Sequence, residues 1–446
     1  MRDIAVTLLF IYGAVLTLRR PYFGVLLWVW IGLMNPHRLG WGFAYSFPFA
    51  MLDVVIMTIA MVANSRQVRW PGGGPLATLI LLIAWMGLTT ILAIHQDISI
   101  ERYSAVLKVL VMTLVCATVV KSREEIIGLV WVIAMSMDFF GLKGGIFTLA
   151  TGGSFRVWGP PASAVEGNNE LAVALIMTIP LFYFLAVQSG ISFKLPVLRW
   201  VNEKWLRRLL YASMVFCAVA AIGSHSRGAL LAIAAMTSML WWRSKSKLIV
   251  GVALLVVVPA LLMFMPEEWL GRMNTIKTYD TDDSAMGRIN AWTMAINIAN
   301  HRLTGAGFAT DSSLIYQMYA PNPNFVIVAH SIYFQILGEH GYIGLALYLT
   351  FWWLTYRTAG RVSELAKSLP DGAWAVHLAS MMKVSLVGFA VGGAFLSLAY
   401  WDMPFYFMIV VVVTYRWVVE RVAEEKSRLA ASPAPSQQPL GRVPAN

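Results

Sequence analysis

Two cysteines in 446 residues leave this chain without the means for a disulfide framework. Both Cys116 and Cys217 fall inside apolar runs, where a thiol packs as a small hydrophobe and a metal site has no support. Charge is scarce as well: Asp, Glu, Lys and Arg make up 13% of the chain against 58% hydrophobic residues. With a mean hydropathy of +0.66, there is more apolar surface than a soluble core can hide, which excludes an ordinary soluble globular class. The first apolar segment, 4–18, lacks a small-residue cleavage site and runs directly into Arg19 and Arg20, so its removal as a signal peptide is not expected. Nor is there a clear internal repeat of the kind that marks the matched halves of many transporters.

What is present is a series of long, nearly uncharged runs, such as 76–94, 104–120 and 248–264, close to the roughly 20 residues a spanning helix needs. Lipid offers no partner for open backbone, so each run reads as a helix. Spans are expected near 4–18, 21–35, 48–64, 76–94, 104–120, 125–149, 170–188, 208–223, 228–242, 247–264, 331–356, 379–399 and 403–419. A net charge of +11 would suit nucleic acid, but the basic residues cluster in alternate short loops, where they orient a membrane protein. Arg66 with Arg69, Lys121 with Arg123, Lys194 through Arg208, Arg243 with Lys245 and Lys247, and Arg357 with Arg361 and Lys367 mark the cytoplasmic side, and no nucleic-acid partner is expected. The loops 36–47, 95–103, 150–169, 224–227, 265–330 and 400–402 then face outward. Thirteen segments with a cytoplasmic tail would put the N-terminus outside, unless the first segment is re-entrant or interfacial; twelve full crossings is the preferred count.

The fold class expected is therefore all-α: a polytopic helical membrane protein with about 12 transmembrane helices and one large helical outer loop. It divides into an N-terminal transmembrane region (1–149), core helices (150–264), the outer loop (265–330), C-terminal transmembrane helices (331–420) and a disordered cytoplasmic tail (421–446). Within the outer loop, helices are expected over 267–276 and 284–300, the second with Ile289, Trp292, Ile296 and Ala299 on one face and Arg288 one turn before Trp292. Gly305 to Phe308 breaks that helix, 312–319 makes a short one, and Pro321 to Asn324 ends it. Asp53, Lys108, Lys143 and Asp138 fall inside spans, where they either pair internally to fix helix packing or suggest a polar pocket opening outward.

Two segments carry candidate chemistry. Gly223-Ser-His-Ser-Arg-Gly228 is a tight polar turn at the outer surface, and Arg227 within it is shaped for bidentate contact with phosphate oxygens, unless it only snorkels to lipid headgroups. His225, in the same turn, has no orienting partner in the spacing and ranks below His330. His330 opens a helix on which it shares a face with Tyr333 and Leu337, while Gln335 and Glu339 lie on another. An imidazole there titrates near neutral pH as a general base must, although a lone interfacial histidine is more commonly a hydrogen-bonded surface residue. Asp280-Thr-Asp282-Asp283 is similar to the Asp-x-Asp of metal-using glycosyltransferases, but the arginines already supply positive charge, so no metal and no cofactor is expected.

Ser224-His-Ser-Arg-Gly-Ala229, Gly287-Arg288 with Trp292, Gly305-Ala-Gly-Phe308 and His330-Ser-Ile-Tyr-Phe-Gln-Ile-Leu-Gly-Glu339, in that order, together resemble the O-antigen ligase and polymerase family over roughly 150–360. The N-terminal part, with Leu33-Met-Asn-Pro-His-Arg38 and Phe47-Pro-Phe49, resembles the O-glycosylation ligases found with exosortase systems. Glu166-Gly-Asn-Asn-Glu-Leu-Ala172 is similar to an Asn-containing motif that precedes a span in the family. The resemblance implies a GT-C-like glycosyltransferase in the bacterial inner membrane, transferring a glycan from undecaprenyl pyrophosphate to an acceptor on the periplasmic face. On that reading Arg227 and Arg288 grip the pyrophosphate and stabilise its charge as it leaves, and His330 takes the proton of the attacking hydroxyl. Tyr333, Arg156, Asn169 and Ser226 support them, and one direct displacement inverts the anomeric centre. The expected partners are the lipid-linked glycan donor, lipid A core as acceptor, and membrane lipids. An O-antigen ligase is preferred over a polymerase or a protein O-oligosaccharyltransferase. The rival class, a lipid-linked oligosaccharide flippase, would place its polar groups near the midplane, and a structural scaffold leaves Arg227, Arg288 and His330 unexplained.

Overall fold

The computed structural model describes residues 1–188, 202–243, 247–248 and 283–431. Most of the expected span 247–264, the expected helix 267–276, and Asp280 with Asp282 lie outside the described residues. The described chain is helical throughout, and the elements follow the apolar runs: α1 (Arg2–Arg19), α2 (Tyr22–Met34), α3 (Phe49–Ala63), α4 (Gly74–Ile91), α5 (Gln96–Val119), α6 (Arg123–Ala150), α7 (Asn168–Val187), α8 (Glu203–Gly223) and α9 (Arg227–Arg243). Then come α10 (Asp283–His301), the short α11 (Ser313–Tyr319), α12 (Ile332–Ala366), α13 (Ala373–Gly392) and α14 (Asp402–Ala431).

Seven of these helices (α4 to α8, α13 with its extension to Phe395, and α14) are long and apolar enough to cross a bilayer, and α2 and α3 are shorter apolar helices. Large apolar side chains such as Ile4, Leu8, Leu9, Met51, Ile59, Leu81 and Val215 stand exposed. Exposure on that scale is tolerable in lipid and costly in water. The protein is an all-α polytopic membrane protein.

Burial separates inner from outer helices. Inside the bundle, 72% of the apolar window of α6, 78% of that of α7 and 83% of that of α14 is covered, against 33% for α5. The helix α6 packs on α2, α7 and α8, while α7 also meets α9 and α13, so α6 and α7 form the wall on which the candidate site is hung. A reciprocal cap starts α6: Ser122 Oγ accepts from the Glu125 N–H at 3.2 Å and Glu125 Oε2 accepts from the Ser122 N–H at 3.1 Å.

The helix α12 kinks at Gly341, whose φ of 67° only glycine adopts easily, and it packs on α4, α10, α13 and α14. At the C-terminus the helix passes the expected boundary at 420 and continues to Ala431. Its Glu, Lys and Ala content favours helix, and Arg421 pairs with Glu424 one turn on at 2.9 Å and with Asp371 at 3.5 Å.

Candidate functional site

The turn between α8 and α9 is built to hold its backbone still. His225 adopts φ 58°, and its Nε2–H donates to the Gly153 carbonyl at 2.8 Å, which fixes the ring against the loop joining α6 to α7. From the start of α7, Asn168 Nδ2 donates to the Ser224 carbonyl at 2.7 Å, and from the same loop Val157 N–H donates to the Gly223 carbonyl at 3.3 Å. Ser226 Oγ accepts from the Ala229 N–H at 3.2 Å, the usual service of a serine just ahead of a helix. These contacts set Arg227 on the first residue of α9, half-buried, with its backbone position determined from both sides.

Arg288 and His330 are brought together through Trp292. The Trp292 indole N–H donates to the Ala329 carbonyl at 2.8 Å, and its ring stacks on Phe334 at 4.9 Å and 12°, clamping α10 to the start of α12. Arg288 sits one turn before Trp292, and His330 directly follows Ala329, so the clamp places the guanidinium and the imidazole within electrostatic reach. His330 takes a left-handed φ of 44°, with its N–H donating to Ser397 Oγ at 3.0 Å. Burial, then the neighbouring Arg288 cation, hold the His330 imidazole below its ordinary value.

A cavity of about 220 Å³ joins these elements. Its lining includes Asn169, His225, Arg227, Gly228, Ser284 and Arg288, with Ser226 beside them and Phe395 closing it. Asn169 is in the first turn of α7, Arg227 and Gly228 open α9, and Ser284 lies in the first turn of α10. Three helix N-termini therefore meet at one cavity. The leading N–H groups of a helix have no partner inside it, and the aligned peptide dipoles put roughly half a positive charge there. Two arginines added to that set are an arrangement suited to an anion. Glu170, in the first turn of α7, is close enough to interact with Arg288.

His330 flanks this cavity through Arg288 and is not part of its lining. Tyr333 faces elsewhere: its hydroxyl donates to the Ala390 carbonyl at 2.7 Å, and its ring lines an apolar groove with Trp352 and Tyr356. Arg156 is exposed on the loop joining α6 to α7 and is not part of the lining. None of Asp53, Lys108, Lys143 and Asp138 lines this cavity. Asp138 accepts from Ser213 Oγ at 3.1 Å between α6 and α8, and the exposed Lys143 carries its charge away from the core.

What the glycine motif does is not visible in its spacing. Ala306 N–H donates to the Gly338 carbonyl at 2.9 Å and Gly307 N–H to the Glu339 carbonyl at 3.0 Å, so Gly305 to Phe308 lies as a strap along the start of α12. Gly305 has φ 67°, and a Cβ there would stand 2.6 Å from the Glu339 carbonyl carbon. Under the strap runs a buried polar chain: Thr89 Oγ1 meets His340 Nδ1 at 2.7 Å, His340 Nε2 meets the Tyr400 hydroxyl at 2.8 Å, and that hydroxyl donates to Glu339. The strap and this chain fix where α12 begins, and so where His330 stands.

Fold and site thus define an all-α membrane protein with a cation-lined, anion-suited cavity at the N-termini of three helices. Residues 212–349 match the family model described as O-antigen ligase, and over that segment the chain is similar to the O-antigen ligase family. Residues 1–190 match a family of unknown function (DUF5935). No curated protein matches the chain. Arg227, Arg288, His330 and the glycine strap all fall inside the O-antigen ligase segment, whereas Asn169 belongs to the other.

Proposed function

We propose that the protein is an O-antigen ligase, an inverting glycosyltransferase that moves O-antigen glycan from undecaprenyl pyrophosphate to lipid A core on the periplasmic face of the bacterial inner membrane. The carrying observation is the single cavity that gathers Arg227, Arg288 and three helix N-termini. A diphosphate placed there offsets the repulsion between two guanidinium groups, which otherwise add to positive helix ends. The likeness of Leu33 to Arg38 and Phe47 to Phe49 to motifs of exosortase-associated O-glycosylation ligases supports including that subgroup in the same proposal.

The chemistry follows from the charges. The acceptor hydroxyl oxygen attacks the anomeric carbon of the donor sugar as the bond from that carbon to the pyrophosphate oxygen breaks. The bonding pair leaves with the undecaprenyl pyrophosphate, where Arg227 and Arg288 meet the growing negative charge. His330, kept neutral by burial and by Arg288, accepts the hydroxyl proton and later releases it to water. One displacement inverts the anomeric configuration. Asn169 and Ser226 position the diphosphate, Tyr333 steadies α12 against α13 through the Ala390 carbonyl, and Arg156 waits at the outer edge of the same loop.

The test is reconstitution in liposomes with undecaprenyl-pyrophosphate glycan and, separately, lipid A core, an acceptor protein, or donor alone. The expected product is glycan on lipid A core. Product only on protein, or longer lipid-linked glycan from donor alone, replaces the ligase with an oligosaccharyltransferase or a polymerase. Donor appearing intact in the opposite leaflet, with no new bond made, replaces the enzyme with a flippase.

A further inference from the structure

A second cavity, of about 310 Å³, shares no lining residue with the first, and nothing in the reaction just described uses it. Its wall is polar and aromatic together: Trp28, Asn35, His37, Ser163, Trp401 and Asp402 line it. Asn35 and His37 come from the Leu33-Met-Asn-Pro-His-Arg38 motif at the end of α2, Ser163 from the loop joining α6 to α7, and Asp402 from the first turn of α14.

The polar groups here are incompletely used. Asp402 has no ion pair to a described residue, and the Tyr406 hydroxyl reaches its Oδ2 only at 3.5 Å, a weak contact. Gly32 leaves room for that carboxylate, since a Cβ there would stand 3.0 Å from Oδ2. His37 Nδ1 is enclosed and has no hydrogen-bond partner among the described residues. Burial, then Arg38, keep that imidazole neutral, able to donate at one nitrogen and accept at the other. An enclosed polar atom without a partner costs stability, and a ligand's hydroxyl is the natural remedy.

The two cavities are lined from one stretch of chain, the end of the loop joining α6 to α7 and the first turn of α7. Ser163 and Val165 line the second and Asn169 lines the first, so Val165 and Asn169 stand no more than roughly 14 Å apart along the backbone. Glu166 stiffens the stretch between them: its Oε2 accepts from the Ala162 N–H at 2.8 Å, and its carbonyl accepts from the Gly159 N–H at 2.9 Å.

We propose that this second cavity is the acceptor subsite, and that it holds a terminal sugar of the acceptor glycan by its hydroxyls and its apolar face. Indole faces cover the C–H surface of a sugar ring, while a carboxylate, an amide, an imidazole and a hydroxyl satisfy its O–H groups. At about 310 Å³ the space is at the small end of the roughly 300–1,000 Å³ typical of small-molecule sites, and with its polar lining it suits a sugar. All lining residues except Trp401 and Asp402 fall in the 1–190 segment, so the segment of unknown function selects the acceptor while the O-antigen ligase segment holds the donor.

This inference rests on the transfer reading above, and the experiment separates the two. Its probe is core oligosaccharide released by mild acid from rough lipopolysaccharide, titrated against the full-length protein in nanodiscs. The variants are Asp402→Asn, which keeps shape and removes charge, and Ala164→Trp, which fills the cavity from an exposed loop position. The expected result is saturable binding that weakens about 10-fold or more in both variants and survives in Arg227→Ala, with acceptor KM raised alongside and donor KM unmoved. No saturable binding to the unaltered protein, or binding that Ala164→Trp leaves intact, overturns the subsite. Binding with this variant pattern but no glycan transfer sinks the ligase reading and leaves the subsite standing; transfer that both variants leave untouched does the reverse.

Discussion

At the scale of single residues, the protonation state of His330 decides whether the proposed base works. Its burial and the adjacent Arg288 both favour the neutral form, so the imidazole is competent at neutral pH and is lost as a base only when pH falls below its lowered value. The acid limb of kcat/KM is therefore expected below the ordinary histidine value of about 6.5. Arg288→Gln removes one of the two influences holding the value down, so its residual activity should show an acid limb moved to higher pH. A limb that stays in place in that variant means another group titrates. Arg227 and His330 stand out as candidates in the sequence, as part of a polar turn between apolar runs and as a histidine beside one, against 58% hydrophobic composition, whereas Arg288 is singled out only by the family resemblance. Asn35, His37 and Asp402 were not legible as a set, because they meet only through the packing of α2 against α14.

At the scale of elements, Trp292 does what no periodicity could reveal. The helical spacing of Ile289, Trp292, Ile296 and Ala299 predicts an apolar face, and α10 forms, but the indole N–H bond to Ala329 depends on which neighbour that face meets. Trp292→Phe keeps an aromatic ring to stack on Phe334 and deletes that hydrogen bond. The expectation is an unchanged melting temperature to within a few degrees, with kcat reduced about 10-fold as His330 drifts from Arg288. A fall in melting temperature that fully accounts for lost activity would make the bond structural only. Tyr333 illustrates the converse: helical spacing predicts that it shares a face with His330, but α12 begins at Ile332, His330 lies before it with a left-handed φ of 44°, and the helix presents Tyr333 to Ala390 and the apolar groove beside α13. The glycines at 305, 307 and 341 were readable as breakers, but their function as a strap needs positive φ values and close backbone approach that only coordinates show.

At the scale of the whole molecule, the span pattern was legible from hydropathy because lipid demands helices of a set length. What hydropathy could not convey is convergence. Asn169, Arg227 and the Ser284–Arg288 turn are far apart in the chain, and only the packing of α7, α9 and α10 brings their helix starts to one place. Because arginines and helix ends supply the positive charge there, transfer is expected to persist in excess EDTA. Turnover abolished by EDTA and restored by magnesium or manganese would assign that charge to a metal instead.

The proposed transfer depends on the cationic cavity and its neighbouring imidazole. Labelled glycan transfer in proteoliposomes, measured for the unaltered protein and for Arg227→Ala, Arg288→Ala and His330→Ala at matched insertion, tests it most directly. Each variant is predicted to insert and fold normally while losing transfer by roughly 100-fold or more. Near-normal transfer in Arg227→Ala or Arg288→Ala would contradict the diphosphate site, and near-normal transfer in His330→Ala would contradict the base.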